Sequence, residues 1–333
     1  MSSLSSEQKL AAAGAAEESA EQKPVTASEA APEKAPESSS SAVSNGREKK
    51  KKKWVGKLIK WVLIVAACIV AATAPSVIHS KTYFQTVFYE DVSRYLTENL
   101  RIVFLSDLHS RQYGVDNSLL LDEIWGLQPD IILLGGDMIN RNDTDIEPVL
   151  SFCGRLTQIA PVYGVLGNHE SERIYNRGDS ELVARFEEKG IVILRNEMRE
   201  ITLGNNEIQL IGAEGTDYGF DQYGGKEALD AMEFRKDRYK ILMDHYPILF
   251  ARKLASYSYN LGLAGHVHGG IIRLPGIGGL YSKEEGFFPV YSRGEYPMRG
   301  GARLIISGGL GDSGWFPRIY NVPELVVIDV NWC

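Results

Sequence analysis

The chain is poor in cysteine: its 333 residues include only Cys68, Cys153 and Cys333. No two of them form a CxxC pair, so neither a disulfide framework nor a cysteine-rich zinc site underlies the fold. Excess positive charge is also missing. The formal net charge is −7, which argues against a basic nucleic-acid-binding surface, and no nucleic-acid partner is expected. The segment Met1–Gly46 has no aromatic residue and few large aliphatics; Ser, Ala, Glu, Gln, Lys and Pro dominate it. Such a stretch buries too little apolar surface to offset chain entropy, so a disordered tail is expected there.

After the tail comes a basic segment, 47–60, with the lysine run Lys49–Lys53. An uncharged run, Trp61–Ile78, adjoins it directly. Its length of about 18 residues is near the lower limit for a membrane-spanning helix. Trp54 and Trp61 suit an interfacial belt. Lysines ahead of a span put the N-terminus in the cytoplasm, so a single-pass anchor in the cell membrane with the catalytic part outside is expected. A cleaved signal peptide competes, because Ala72-Thr73-Ala74 resembles a small-residue cleavage site. Pro75 directly after it and the long polar N-terminus favour an uncleaved signal anchor. Residues 79–99 read as a connector.

From Leu100 onward β-rich runs alternate with helical patterns, and residues 100–333 read as one α/β domain. Strands are expected at Arg101–Ser106, Asp130–Leu134, Val162–Leu166 and Ile191–Leu194, with helices at Leu119–Leu127, Pro148–Ile159 and Leu182–Lys189 between them. Later strands are expected at Ile208–Ile211, Tyr239–Met243, Leu261–Ala264, Arg303–Ile306 and Leu325–Val330. Gly269–Gly301, rich in Gly, Tyr, Phe and Pro, reads as a long structured loop.

Five of the six histidines lie at the ends of these strands. Strand ends carry Asp107-Leu108-His109, Gly136-Asp137, Gly167-Asn168-His169-Glu170, Asp244-His245 and Gly265-His266-Val267-His268. One Asp or His alone is usually a cap or a structural residue. In α/β sheets, however, ligands bind beyond the carboxyl ends of the strands, where distant residues converge. The whole set therefore points to a metal site. Imidazole, carboxylate and amide ligands suit Mn, Fe or Zn.

These five ordered motifs resemble those of the calcineurin-like metallophosphoesterases. Gly265–Pro275 and Gly308–Gly314 are similar to the membrane-tethered bacterial branch of the YkuE and YaeI type. The resemblance implies an αββα sandwich and two divalent or mixed-valence metal ions. Asp107, His109 and His268 would hold one; Asn168, His245 and His266 would hold the other; Asp137 would bridge them through its two oxygens. His169 would face the substrate phosphate as the catalytic residue. Glu170 stands where Asp is more usual, and Asp244 and Tyr246 flank His245; these departures bear on substrate preference. Two cations neutralise the phosphoryl oxygens, and a hydroxide held between them attacks phosphorus in line.

Gly309-x-Gly311-x-x-Gly314 matches a dinucleotide-binding fingerprint, but Pro317 blocks the helix that such a site requires. A tight glycine loop near the site is expected instead. The expected function is hydrolysis of phosphodiesters or phosphomonoesters at the membrane surface. The alternatives are a UDP-2,3-diacylglucosamine-type lipid pyrophosphatase acting on a lipid-linked substrate and a non-catalytic metal-containing binding module.

Overall fold

The computed structural model describes residues 40–215, 219–222, 224–312, 314 and 316–333. The expected disordered tail, Met1–Gly46, lies outside the described residues as far as residue 39. Residues 40–46 fall instead within helix α1 (Ser40–Thr82). Helix α1 contains the whole expected span and continues through Pro75. Its part Lys50–Thr82 is long and apolar enough to cross a membrane, and its most apolar stretch has no residue buried in protein.

The first sheet is built from β1 (Gln85–Ser93), β2 (Leu100–Leu105), β3 (Ile131–Leu134), β4 (Val162–Gly164) and β5 (Val192–Ile193). The second begins with β6 (Glu197–Leu203), β7 (Asn206–Gly212), β8 (Tyr239–Met243) and β9 (Leu261–Ala264). Two short hairpins come next: β10 (Arg273–Leu274) with β11 (Gly278–Gly279), and β12 (Tyr281–Ser282) with β13 (Gly286–Phe287). Strands β14 (Gly294–Pro297) and β15 (Arg303–Ile306) complete the second sheet, and β16 (Glu324–Trp332) returns to the first. The strand orders are β1-β16-β2-β3-β4-β5 and β14-β15-β9-β8-β7-β6.

Strand alternation explains the layers. On β2, Ile102 and Phe104 enter a core shared with Leu210, Ile241, Met243, Leu261 and Leu263 of the second sheet. Val103 and Leu105 point the other way, onto helices α2 (Ser118–Leu127), α3 (Glu147–Leu156) and α5 (Leu182–Glu188). On the far side, Leu242, Ala264 and Leu304 pack on short helices α6 (Gly219–Gln222), α7 (Gly225–Asp230) and α8 (Pro247–Arg252). The result is the αββα sandwich. Both faces of the central strands are covered, so they read as continuous apolar runs rather than alternating ones.

Two elements depart from the sequence reading. Residues 79–99 are more than a connector, because β1 pairs in parallel with β16 from Gln85↔Glu324 to Ser93↔Trp332. As an edge strand it is half exposed, which hides its apolar signal. Helix α4 (Asn168–Arg177) is the second: its sequence is almost wholly polar and only Ile174 packs on the core. Among the described residues of the expected loop Gly269–Gly301 are the two hairpins and β14.

Candidate metal centre

Each chemically important side chain sits just past the carboxyl end of a strand. Asp107 and His109 follow β2, Asp137 follows β3, Asn168 and His169 open α4 after β4, His245 follows β8, and His266 and His268 follow β9. Asp107, His109, Asp137, His266 and His268 have φ between 48° and 69°. Left-handed backbone is strained for residues with a Cβ, and such strain concentrates at functional sites. Close approach of the loops needs glycine at two points. A Cβ on Gly265 would lie 1.9 Å from Ser106 Oγ, and one on Gly167 would lie 2.2 Å from Asp137 Oδ1.

The structure gathers Asp107, His109 and His268 into one group and Asp137, His245 and His266 into another, with ligand atoms within 4.8 Å in each. His109 Nε2 is 3.0 Å from His268 Nε2, which is 3.4 Å from Asp107 Oδ1. In the second group His245 Nε2 is 3.4 Å from Asp137 Oδ2 and 3.1 Å from His266 Nδ1. The Asn168 amide oxygen faces Asp137 Oδ2 at 3.2 Å and His266 Nδ1 at 2.8 Å, acceptor against acceptor. A swapped amide would donate to both, but lone pairs converging from three side chains are what a cation requires. The donor set of both groups therefore fits metal.

Asp137 lies between the groups, but not in the way its chemistry alone suggests. Oδ1 accepts the His169 backbone N–H at 2.7 Å. Oδ2 alone faces both sides, 3.4 Å from His245 and 3.7 Å from His109. Oδ2 is thus the one Asp137 oxygen placed toward both groups. Burial opposes ionisation of Asp137, yet attraction from His245, His109 and His169 holds its carboxyl well below the usual range. For His245 burial again opposes charge, and the Asp137 and Asp107 carboxylates push it up to about 10. As a metal ligand His245 would have to be neutral at Nε2, the nitrogen facing Asp137.

The outer nitrogen of each candidate-ligand histidine has a partner. His245 Nδ1–H donates to Gly135 O at 2.7 Å, leaving Nε2 for the site. His109 Nδ1 meets Asn140 Oδ1 at 3.1 Å, and His266 Nε2 meets Glu284 Oε1 at 2.8 Å. The buried Arg318 approaches His268 Nδ1 at 3.0 Å and also donates to the carbonyls of Gly308 and Gly311. Burial, then His109 and Arg318, hold His268 well below its ordinary pKa, so it is a neutral ring. The acceptors Gly135 O, Asn140 Oδ1 and Glu284 Oε1 fix the tautomer that leaves the inner nitrogen free, whereas Arg318, a donor only, orients the His268 ring without doing so. Sequence reasoning missed Asn140, Glu284 and Arg318; only Asn140 is near a motif. The glycine loop runs behind Asp107, where Leu310 N–H donates to Ser106 O and Gly311 N–H to Asp107 O.

Glu170 is absent from the cavity lining and supports the loops instead. It is buried and accepts the backbone N–H groups of Asp137, Met138, Ile139 and Gly167 at 2.8–3.1 Å. One carboxylate thus ties the loop after β3 to the N-terminus of α4, a capping-box contact that an Asp is too short to copy unchanged. Burial and the Asp137 charge push its pKa up to about 7, against the pull of the N–H donors. Glu170→Gln puts an NH₂ group among four donors. It is expected to lower stability by about 1–3 kcal/mol, read from the urea midpoint of the unfolding curve. An unchanged midpoint overturns that role. Tyr246 lines the cavity, with its ring 4.3 Å from that of His266, whereas Asp244 turns away to accept the Tyr246 N–H.

His109, Asp137, His266 and His268 line an open cavity of about 590 Å³, together with Arg141, Asn168, His169, Glu172, Lys283 and Glu284. Similarity to known proteins agrees with this geometry. Residues 100–270 match the model of the calcineurin-like phosphoesterases. The chain belongs to the calcineurin-like phosphoesterase family. It is a metal-dependent phosphoester hydrolase of the αββα type, and divalent metal ions are its cofactors. Phosphodiesterase YaeI of Escherichia coli is 31% identical over 56% of this chain and 66% of its own length. The uncharacterised metallophosphoesterase YkuE of Bacillus subtilis is 27% identical over 70% of this chain and 80% of its own. A solved structure, TT1561 of Thermus thermophilus, overlays with a TM-score of 0.39 at 15% identity, covering 63% of this chain and 90% of its own.

Proposed function

We propose that this phosphoesterase cleaves phosphodiesters or phosphomonoesters at the outer surface of the cell membrane, anchored by Trp61–Ile78. The observation that carries the chemistry is the pair of ligand groups sharing Asp137 Oδ2. Asp107, His109 and His268 would hold one cation, and Asn168, His245 and His266 the other. Two cations there supply Lewis-acid charge against the phosphoryl oxygens and lower the pKa of water.

The chain's own residues do the rest. His169 Nδ1 accepts the Arg141 backbone N–H at 3.0 Å, so the neutral ring carries its proton on Nε2. Arg141 Nη2 stands 2.9 Å from that Nε2. Two donors side by side suit one anionic oxygen of a bound phosphoryl group. Glu172, paired with Arg141, holds the guanidinium at the cavity wall. The match to a phosphodiesterase favours diesters as the first substrates to test.

The full chain, stripped with chelator, is expected to lose hydrolysis of bis-p-nitrophenyl phosphate and to regain it with Mn²⁺, Fe²⁺ or Zn²⁺. No hydrolysis with any of the three overturns the reading in favour of a binding module. For topology, protease added to intact spheroplasts is expected to digest the region 100–333 and spare the N-terminal segment before the span. Protection of 100–333 overturns the outward orientation.

A further inference from the structure

The second hairpin, whose Tyr281–Glu284 line the cavity, and the segments beside it carry exposed apolar side chains. Ile277 and Phe287 are 66% and 71% exposed, and Phe288, Val290 and Tyr320 are exposed as well. Exposed apolar side chains that cluster mark a surface made for contact. Three residues of this region, Ile271, Phe288 and Tyr320, have φ of 60°, 58° and 53°. A β-branched or bulky residue at positive φ is strained, and strain persists where a function requires it.

Helix α1 says what the contact is. Tyr320 Oη donates to Ala72 O at 3.0 Å, and the Tyr320 N–H donates to Ser76 Oγ. Ser80 Oγ donates to Arg318 O at 3.2 Å, and Arg111 donates to Ser80 O at 3.0 Å. Ala72 lies inside the apolar run that ends at Ile78. At 1.5 Å per residue, Tyr320 meets the helix about 9 Å before the run is finished. A segment tied there shares the depth of the span's outer end. Tyr320 in turn forms one cleft with Leu274 and Ile277 of the first hairpin.

Backbone bonds carry this surface on to the site. Leu280 N–H donates to Ile272 O, and Phe288 N–H donates to Leu280 O. The turn between β12 and β13 carries Glu284, which holds His266 at 2.8 Å. Lys283, exposed beside it, lines the cavity and suits an anionic headgroup.

We propose that the two hairpins and Tyr320 lie in the headgroup layer of the bilayer, and that the site draws its phosphoester from an amphiphile embedded there. The proposal rests on the phosphoesterase reading and on α1 as the span.

The test uses the full chain in phosphatidylcholine vesicles and two substrates. One is water-soluble bis-p-nitrophenyl phosphate; the other is a p-nitrophenyl phosphodiester whose second ester is a long alkyl chain seated in the bilayer. The double variant Ile277→Ser, Phe287→Ser is expected to lose about 10–100-fold on the embedded substrate and less than about twofold on the soluble one. Ile277→Leu, Phe287→Leu is expected to retain both activities. Equal loss on the two substrates, or no loss on either, overturns the proposal. So does loss of a dimer, seen by light scattering, with embedded turnover intact, which assigns the face to a second copy. If wild type cleaves neither substrate with metal present, the phosphoesterase reading itself fails.

Discussion

Asp137→Asn is expected to empty both halves of the metal centre at once. The side chain is 2% exposed and its two oxygens have separate tasks. Oδ1 takes the His169 N–H at 2.7 Å, while Oδ2 alone faces His109 on one side and His245 on the other. An amide in this place has no good orientation. With its oxygen on the His169 N–H, it presents NH₂ to two cations; turned round, it sets two donors against each other. The lost negative charge matters more. At about 4 Å and an effective dielectric constant of about 20, a unit charge pair is on the order of 4 kcal/mol, or about 10³ in affinity. Elemental analysis is expected to show well below the wild-type metal content, with turnover down at least about 10³-fold. Full metal content with normal turnover would falsify the bridging role. Asp137→Glu tests position rather than charge: it keeps the carboxylate, displaces it, and is expected to recover part of the metal and little of the rate.

His169→Ala is expected to lower turnover by about 10²–10³-fold, the usual loss for one preorganised donor, while metal content stays near wild type. The ring lies beside the ligands: its Nε2 is 4.0 Å from Asp137 Oδ2, and its centroid 4.6 Å from that of His109. Proximity alone would make it a ligand. However, the Arg141 backbone N–H at Nδ1 fixes the ring with its Nε2–H toward the cavity. Burial, then the nearby His109 and Arg141, opposed by Asp137, lower its pKa to about 4. The ring is therefore neutral above pH about 5, donating a hydrogen bond rather than carrying a charge. The ratio of wild-type to variant rates is accordingly expected to be flat from pH 6 to 9. The loss is also expected to be alike for nitrophenyl and alkyl leaving groups, because a hydrogen bond to a phosphoryl oxygen does not depend on which group departs. A loss confined to poor leaving groups shows proton transfer to the departing oxygen instead. His266→Ala, in contrast, is expected to lower metal content and activity together. If His169→Ala loses metal as severely, His169 belongs among the ligands.

Much of the molecule is legible along the chain. The cores of the strands Tyr239–Met243, Leu261–Ala264 and Arg303–Ile306 are bounded residue for residue. Apolar runs flanked by Gly and Asp leave little choice there. The candidate ligands are legible for a related reason: α/β topology puts strand ends together, so His and Asp repeatedly placed at such ends must converge. Helix α4 and β1 escape such reading because one is polar all along and the other is an edge strand, and neither carries an apolar period.

Local pattern alone thus specifies the class of the domain, the apolar span and the candidate ligand set. Packing of the sheets settles how that set is held. It leaves Asp137 Oδ2 facing both groups, sets Glu170 under four backbone donors, and brings Glu284 and Arg318 to the outer nitrogens of His266 and His268. These partners are far apart along the chain or tied through backbone atoms that every residue possesses. A hydrogen bond across 50 residues, such as Arg318 to His268, leaves no period in the sequence, because its energy comes from a buried geometry that exists only once the sheets have packed.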